Sequence, residues 1–131
     1  MANDVRILPT EWVGTFTGAS WGIVTEHHAK HDSHGHLDPE WHAIENAMNL
    51  RVLQQSGRSL ELLWVANGHE SKFVGALSSD GRRLVIASRE ATANLTVNGD
   101  SITGEMFTRP HGSARSAASY AAGVEELTAK A

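Results

Sequence analysis

Short apolar segments, separated by tight-turn residues at near-regular spacing, run through most of this chain. The breaks after Ala43 lie at 55–58, 67–69, 79–82, 89–91 and 98–100. Three of them contain Asn-Gly or Asp-Gly, and these pairs accept the positive φ angles that hairpin turns need. Each break therefore predicts the reversal of an antiparallel strand. The whole chain predicts an all-β fold, a single up-and-down barrel of about eight strands.

The segments between the breaks give the expected strands. The first covers 11–17 and places Trp12, Gly14 and Phe16 on one face; a turn at 18–20 and a short strand over 21–25 are expected next. Later strands are predicted over 43–55, 59–67, 72–77, 84–89, 93–97 and 101–107. The tail, 116–130, fits a helix or a strand. Gly123 would weaken a helix, and a meander needs a last strand to pair with its first, so a strand is favoured.

Composition limits the functional classes. The 131 residues predict one domain, 1–131, large enough for its own core. Eleven basic and fifteen acidic residues give a net charge of −4 with no basic stripe, which argues against nucleic acid or an anionic membrane as the main partner. The chain has no cysteine and no apolar run of membrane-spanning length. We expect a cytoplasmic protein.

Residues 26–42 break the strand pattern and predict a long loop. This segment holds six of the eight histidines: His27, His28, His31, His34, His36 and His42. Such a loop can bind Zn²⁺, Ni²⁺ or Cu²⁺, and His34-x-His36 followed by Glu40 has the spacing of a cupin first motif. The flanking glycines and a second motif are missing. We therefore expect no metal and no cofactor, with a metal-dependent enzyme kept as an alternative.

Two segments of the chain indicate a family, Trp12-Val-Gly14-Thr-Phe16 and Phe73-Val-Gly75-Ala-Leu77-Ser-Ser-Asp80-Gly81. They resemble segments of small calycin-type barrels, the lipocalin and avidin-like group. In that group a tryptophan near a glycine plugs one end of the barrel, although here the order is Trp-x-Gly rather than the Gly-x-Trp of lipocalins. The resemblance implies a cavity for a small ligand. Some barrels of this build are non-catalytic ligand-binding proteins, and others are cofactor-free enzymes.

The inward phase of the strand over 43–55 defines the candidate site. If Met48 faces the interior, His42 and Asn46 share its phase at the mouth of the cavity. His42 would then act as general acid or base with Asn46; a hydrogen-bonded rim pair without chemistry is the alternative. The expected ligand contacts are mostly aromatic: Phe16, Trp21, Trp41, Met48, Trp64, Phe73 and Tyr120.

These features predict a barrel that handles one small, partly apolar or aromatic molecule. The first reading is a cofactor-independent enzyme, a lyase, isomerase or cyclase; a non-catalytic binding protein is the alternative. The strands over 59–89 are apolar on both faces, with Leu63, Val65, Val74 and Val85 on the outer one. Such a face predicts a homo-oligomer, unless the chain's own tail covers it.

Overall fold

The computed structural model describes residues 5–22, 40–66, 68–108 and 120–130. Within them the chain forms eight antiparallel strands: β1 (Glu11–Gly22), β2 (Glu40–Ser56), β3 (Ser59–Ala66), β4 (His69–Leu77), β5 (Arg83–Ala87), β6 (Ala91–Asn98), β7 (Ser101–Thr108) and β8 (Tyr120–Ala129). Each strand pairs with the next, and β8 pairs with β1, so the sheet closes into an up-and-down barrel. The predicted fold class is confirmed. Within the described ranges, no helix has the length and apolarity that a membrane crossing requires.

Four of the predicted turns contain a glycine in the left-handed region. Gly57, Gly68, Gly81 and Gly99 have φ values of 62°, 75°, 74° and 62°. A side chain at such a φ would be strained, so these positions favour glycine and fix where each hairpin reverses. The turn signals in the sequence thus set the order of β2 to β7.

The turn predicted at 18–20 is wrong, because β1 continues to Gly22. Ala19 pairs with Ala43 on one side and Ala122 on the other. Hydrogen bonding to two neighbouring strands outweighs the weak turn preference of Gly-Ala-Ser. β2 likewise begins at Glu40, so the last three residues of the expected 26–42 loop are strand; the others lie outside the described residues.

The tail is the eighth strand, as favoured from the sequence. β8 lies between β7 and β1 and completes the barrel wall. It therefore does not cover the outer face of β3 to β5. On that face Val74 and Val85 are 66% and 42% exposed, and Leu63 and Val65 are half-buried.

The barrel interior is apolar and is plugged at one end. Leu8 and Trp12 are 2% and 0% exposed. The Trp12 Nε1 donates to the Pro9 carbonyl at 2.8 Å, and the Leu8 amide donates to Gln55 Oε1 at 3.0 Å. Arg6 extends this closure, since its guanidinium donates to the Gly99 carbonyl at 2.7 Å. Residues 5–12 therefore close the end that carries the β2–β3 and β6–β7 hairpins, which we call the plugged end.

Candidate functional site

A cavity of about 330 Å³ lies at the other end of the barrel, which we call the cavity end. Its apolar walls come from Trp64, Phe73, Ala91 and Met106, and its polar groups from His69, Ser71, Ser88, Glu90 and Thr108. These residues belong to β3, β4, β6 and β7 and to the β5–β6 connection. The alternation of side chains along each strand turns them inward, and the plug at the far end leaves the space here.

Three predicted ligand residues meet in the interior. The rings of Phe16 and Trp64 are 5.9 Å apart at their centroids and nearly perpendicular, at 76°. Trp64 and Phe73 are 6.0 Å apart. Such separations fall in the range of attractive aromatic contacts. The cluster links β1, β3 and β4, and its members Trp64 and Phe73 line the cavity. Met48 is also inside, 4% exposed, opposite Gly14 in the register.

Two other predicted aromatic contacts, Trp21 and Trp41, lie on the outer face of the barrel. Trp21 and Trp41 pair with each other across β1 and β2, and they are 42% and 65% exposed. Trp21 is nine positions after the inward Trp12, and an odd offset along one continuous strand gives the opposite face. Trp21 and Trp41 therefore do not line the interior, and their contact with a ligand stays a prediction. Tyr120 begins β8, with its Cα opposite Trp21.

His42 and Asn46 occupy inward positions of β2, in phase with Met48. Both are half-buried. In the register His42 lies opposite Ser20, and Asn46 lies opposite Phe16. The arrangement places one imidazole and one carboxamide on the barrel wall nearest the cavity end. Whether either takes part in a reaction stays a prediction.

Sequence reasoning missed the most unusual interior residue, Glu125. Its side chain is fully buried. Within the described part of the chain, neither carboxyl oxygen has a hydrogen-bond partner. Burial away from water raises the pKa of Glu125 from 4.5 to about 8, because desolvation disfavours the charged form. At neutral pH most molecules therefore carry Glu125 as a neutral carboxylic acid.

The described strands place no lysine or arginine in the interior beside Glu125. Its register partners are Phe16 on β1 and Gly104 on β7. Across the described strands, every lysine and arginine is at an exposed position: Arg51, Lys72 and Arg83. A buried carboxyl without a partner is costly to fold around, and such groups concentrate at functional sites.

The sequence held a weak signal for this residue. Tyr120, a predicted ligand contact, shares its phase with Ala122 and Val124, so that prediction implies an inward face for all three. The structure has the opposite phase inside: Val124 is 54% exposed, whereas Leu127 is 2% exposed and Glu125 is fully buried. Leu127 lies two residues after Glu125 and therefore faces the same side of the strand. Its apolar side chain was the signal that Glu125 faces inward.

The histidine-rich segment is only partly described. His27, His28, His31, His34 and His36 lie outside the described residues, and His42 is on β2. Among the residues that the structure does describe, no group of three or more His, Cys, Asp or Glu side chains is placed to hold a metal ion.

No protein-family model, curated protein or solved structure matches this chain. The closed eight-stranded antiparallel barrel with its buried Trp12 is consistent with the calycin-type resemblance at the level of architecture. Function is therefore inferred from the barrel itself.

Proposed function

We propose that this protein binds one small, largely apolar molecule at the cavity end of the barrel. The observation that carries the proposal is the asymmetry of the interior. Leu8 and Trp12 fill the plugged end, while a cavity of about 330 Å³ with aromatic walls remains at the other. Small-ligand sites in proteins are concave, mainly apolar and provided with a few polar groups.

The polar groups of the cavity fit that description. Ser71, Ser88 and Thr108 offer hydroxyl groups on three sides of the space, and Trp64 and Phe73 offer flat apolar surface. Hydroxyl groups donate and accept hydrogen bonds, so they can orient a ligand without a fixed charge. The size is at the lower end of the range for such pockets, which favours a compact molecule.

Binding can be tested with N-phenyl-1-naphthylamine, a neutral probe that fluoresces in apolar surroundings. We expect one probe molecule per chain. Ser71→Phe fills the cavity from β4 and should weaken probe binding by about tenfold or more. Lys72→Phe is the matched control, because the neighbouring Lys72 is exposed on the outer face. Equal affinity of the two variants, or no binding to the wild type, would contradict the proposal.

A second candidate is the cofactor-free enzyme, a lyase, isomerase or cyclase. The observation that favours it is the presence of His42, Asn46 and Glu125 at inward positions of one apolar barrel. A positioned acid or base accelerates proton transfer by roughly 10²–10⁴-fold. An imidazole, and a carboxyl whose pKa is raised by burial to about 8, are suitable groups for this chemistry.

Base reactivity in the interior can be measured with 5-nitrobenzisoxazole. A base removes the ring C–H proton, the N–O bond breaks, and a coloured cyanophenolate is released. Above about pH 8, where Glu125 is ionised, we expect turnover above the buffer rate, lost in His42→Ala or in Glu125→Gln. Wild-type turnover in both variants would rule out this role for the two side chains.

We also propose that the outer face of β4 to β6 joins two copies of the chain. Val74 and Val85 are exposed there and line a shallow groove of about 430 Å³ together with Ala76 and Thr92. Apolar patches of this kind on soluble proteins often mark contact surfaces.

A further inference from the structure

Glu125 is an interior group that the proposed binding of an apolar molecule does not require. It is fully buried, it points to the inside of the barrel, and within the described ranges its oxygens have no hydrogen-bond partner. A buried carboxyl that serves only the fold would be hydrogen-bonded or replaced by an apolar residue. Its isolation indicates that the missing partner is a ligand group.

The position of Glu125 relates it to the cavity. β8 runs from the cavity end toward the plugged end, and Gly123 lies opposite Met106 of the cavity wall. Glu125 is the next inward residue, about 7 Å further toward the plugged end. The Phe16 ring packs against Gly123, where a Cβ would collide with Cζ. An aromatic ring therefore lies beside Gly123, the inward residue between the cavity wall and the carboxyl.

The charges of the interior favour a cationic partner. No inward position of the described strands carries lysine or arginine, and Glu90 adds a carboxylate to the cavity wall. The chain as a whole carries a net charge of −4. An ammonium group is stabilised by a carboxylate and also by aromatic rings, which attract cations through their quadrupoles. Phe16 and Trp64 supply such rings.

We propose that Glu125 anchors the protonated amine of a small ligand whose apolar body fills the cavity. This inference rests on the proposed binding function and names the ligand class: a primary or secondary amine on a compact, preferably aromatic, skeleton. The neutral acid gives up its proton to solvent as the ammonium group arrives, and the carboxylate and ammonium form an ion pair. Atoms and charge balance, since one proton leaves for each cation bound.

Because a proton is released on binding, the affinity for the amine should depend on pH. The inward positions of the flanking strands β1 and β7 carry no titratable side chain; they are Trp12, Gly14, Phe16, Gly18 and Ser20 on β1, and Ile102, Gly104, Met106 and Thr108 on β7. The other titratable groups of the described interior and cavity wall are His42, His69 and Glu90. Because the pKa of Glu125 is about 8, amine affinity should rise by about tenfold per pH unit below that value and level off above it.

The experiment is competition against N-phenyl-1-naphthylamine by 2-phenylethylamine, with 2-phenylethanol as the neutral analogue of the same shape. We expect the amine to displace the probe more strongly than the alcohol, with the pH profile described above. Glu125→Gln should weaken the amine at about pH 8 by about tenfold or more. It should change probe and alcohol affinities by less than about twofold, which shows that the cavity is intact.

Glu126→Gln is the matched control, since Glu126 is the next residue on β8 and is exposed. It should leave amine binding unchanged. Two results would overturn the inference while leaving the binding function in place: equal displacement by amine and alcohol, or equal amine affinity in wild type and Glu125→Gln. Preference for the alcohol, lost above about pH 8, would instead identify the neutral acid as a hydrogen-bond donor and also overturn it. Failure of the probe itself to bind would refute the proposed function.

Discussion

Replacing Glu125 should change how the stability of the barrel depends on pH. The folded state keeps the proton of this carboxyl up to a pKa of about 8, whereas the unfolded chain releases it near 4.5. Between these values unfolding releases a proton, so the free energy of unfolding falls as the pH rises. The pKa difference, at about 1.4 kcal/mol per pH unit, corresponds to about 5 kcal/mol over the whole interval.

Between pH 5 and pH 8 the free energy of unfolding should fall by about 3–4 kcal/mol of this total. Glutamine has nearly the same shape and does not titrate, so Glu125→Gln should remove this part of the pH dependence. The variant should therefore gain stability relative to the wild type as the pH rises. Losses of this size are a large share of the stability of a small domain.

The assay is urea unfolding followed by tryptophan fluorescence at about pH 5, 6.5 and 8. Subtracting the variant from the wild type cancels the other titrating groups, including the exposed carboxylates. Glu126→Gln should follow the wild type, because its side chain is in water in both states. Parallel stability curves for wild type and Glu125→Gln would show that the carboxyl is not held neutral in the folded barrel.

Three further changes test the fold and its surfaces. Trp12→Ala empties the plug and should lower the free energy of unfolding by about 3–5 kcal/mol, as measured by denaturant titration. Gly123→Ala should lower the free energy of unfolding by about 1–3 kcal/mol, because the new methyl group meets the Phe16 ring. Adding Phe16→Leu to this variant should recover part of that loss. If the effects of the two substitutions simply add, the contact between them is contradicted. If two copies associate through the outer face, Val74→Lys with Val85→Lys should give monomers by light scattering, whereas a wild type that is already monomeric at micromolar concentration would end that proposal.

The architecture and interior residues such as Met48 and Phe73 could be predicted from local sequence, while the inward phase of β8 and of the end of β1 could not. Turn glycines such as Gly57 and Gly99 act through their own backbone angles, so they are visible without knowledge of the fold. The inward phase of β1 and β8 depends instead on an unbroken register over many residues. The turn assumed at 18–20 interrupted that register, so the outward direction of Trp21 was not predicted. The apolar side chain of Val124 favoured the wrong inward phase in β8, so Glu125 was missed. Errors of phase come from distant pairing rather than from local preference.

The connections between strands are short at the plugged end of the barrel and long at the cavity end. The hairpins of the plugged end are short, and the longest connections, residues 23–39 and 109–119, start and finish at the cavity-end termini of their strands. Lengthening a flexible connection is thermodynamically cheap, about 0.6 kcal/mol for each doubling. Selection can therefore change the length of these two connections without disturbing the plug. Proteins that share this barrel should differ most in the lengths of those two connections, and exchanging them between such proteins should leave the melting temperature almost unchanged.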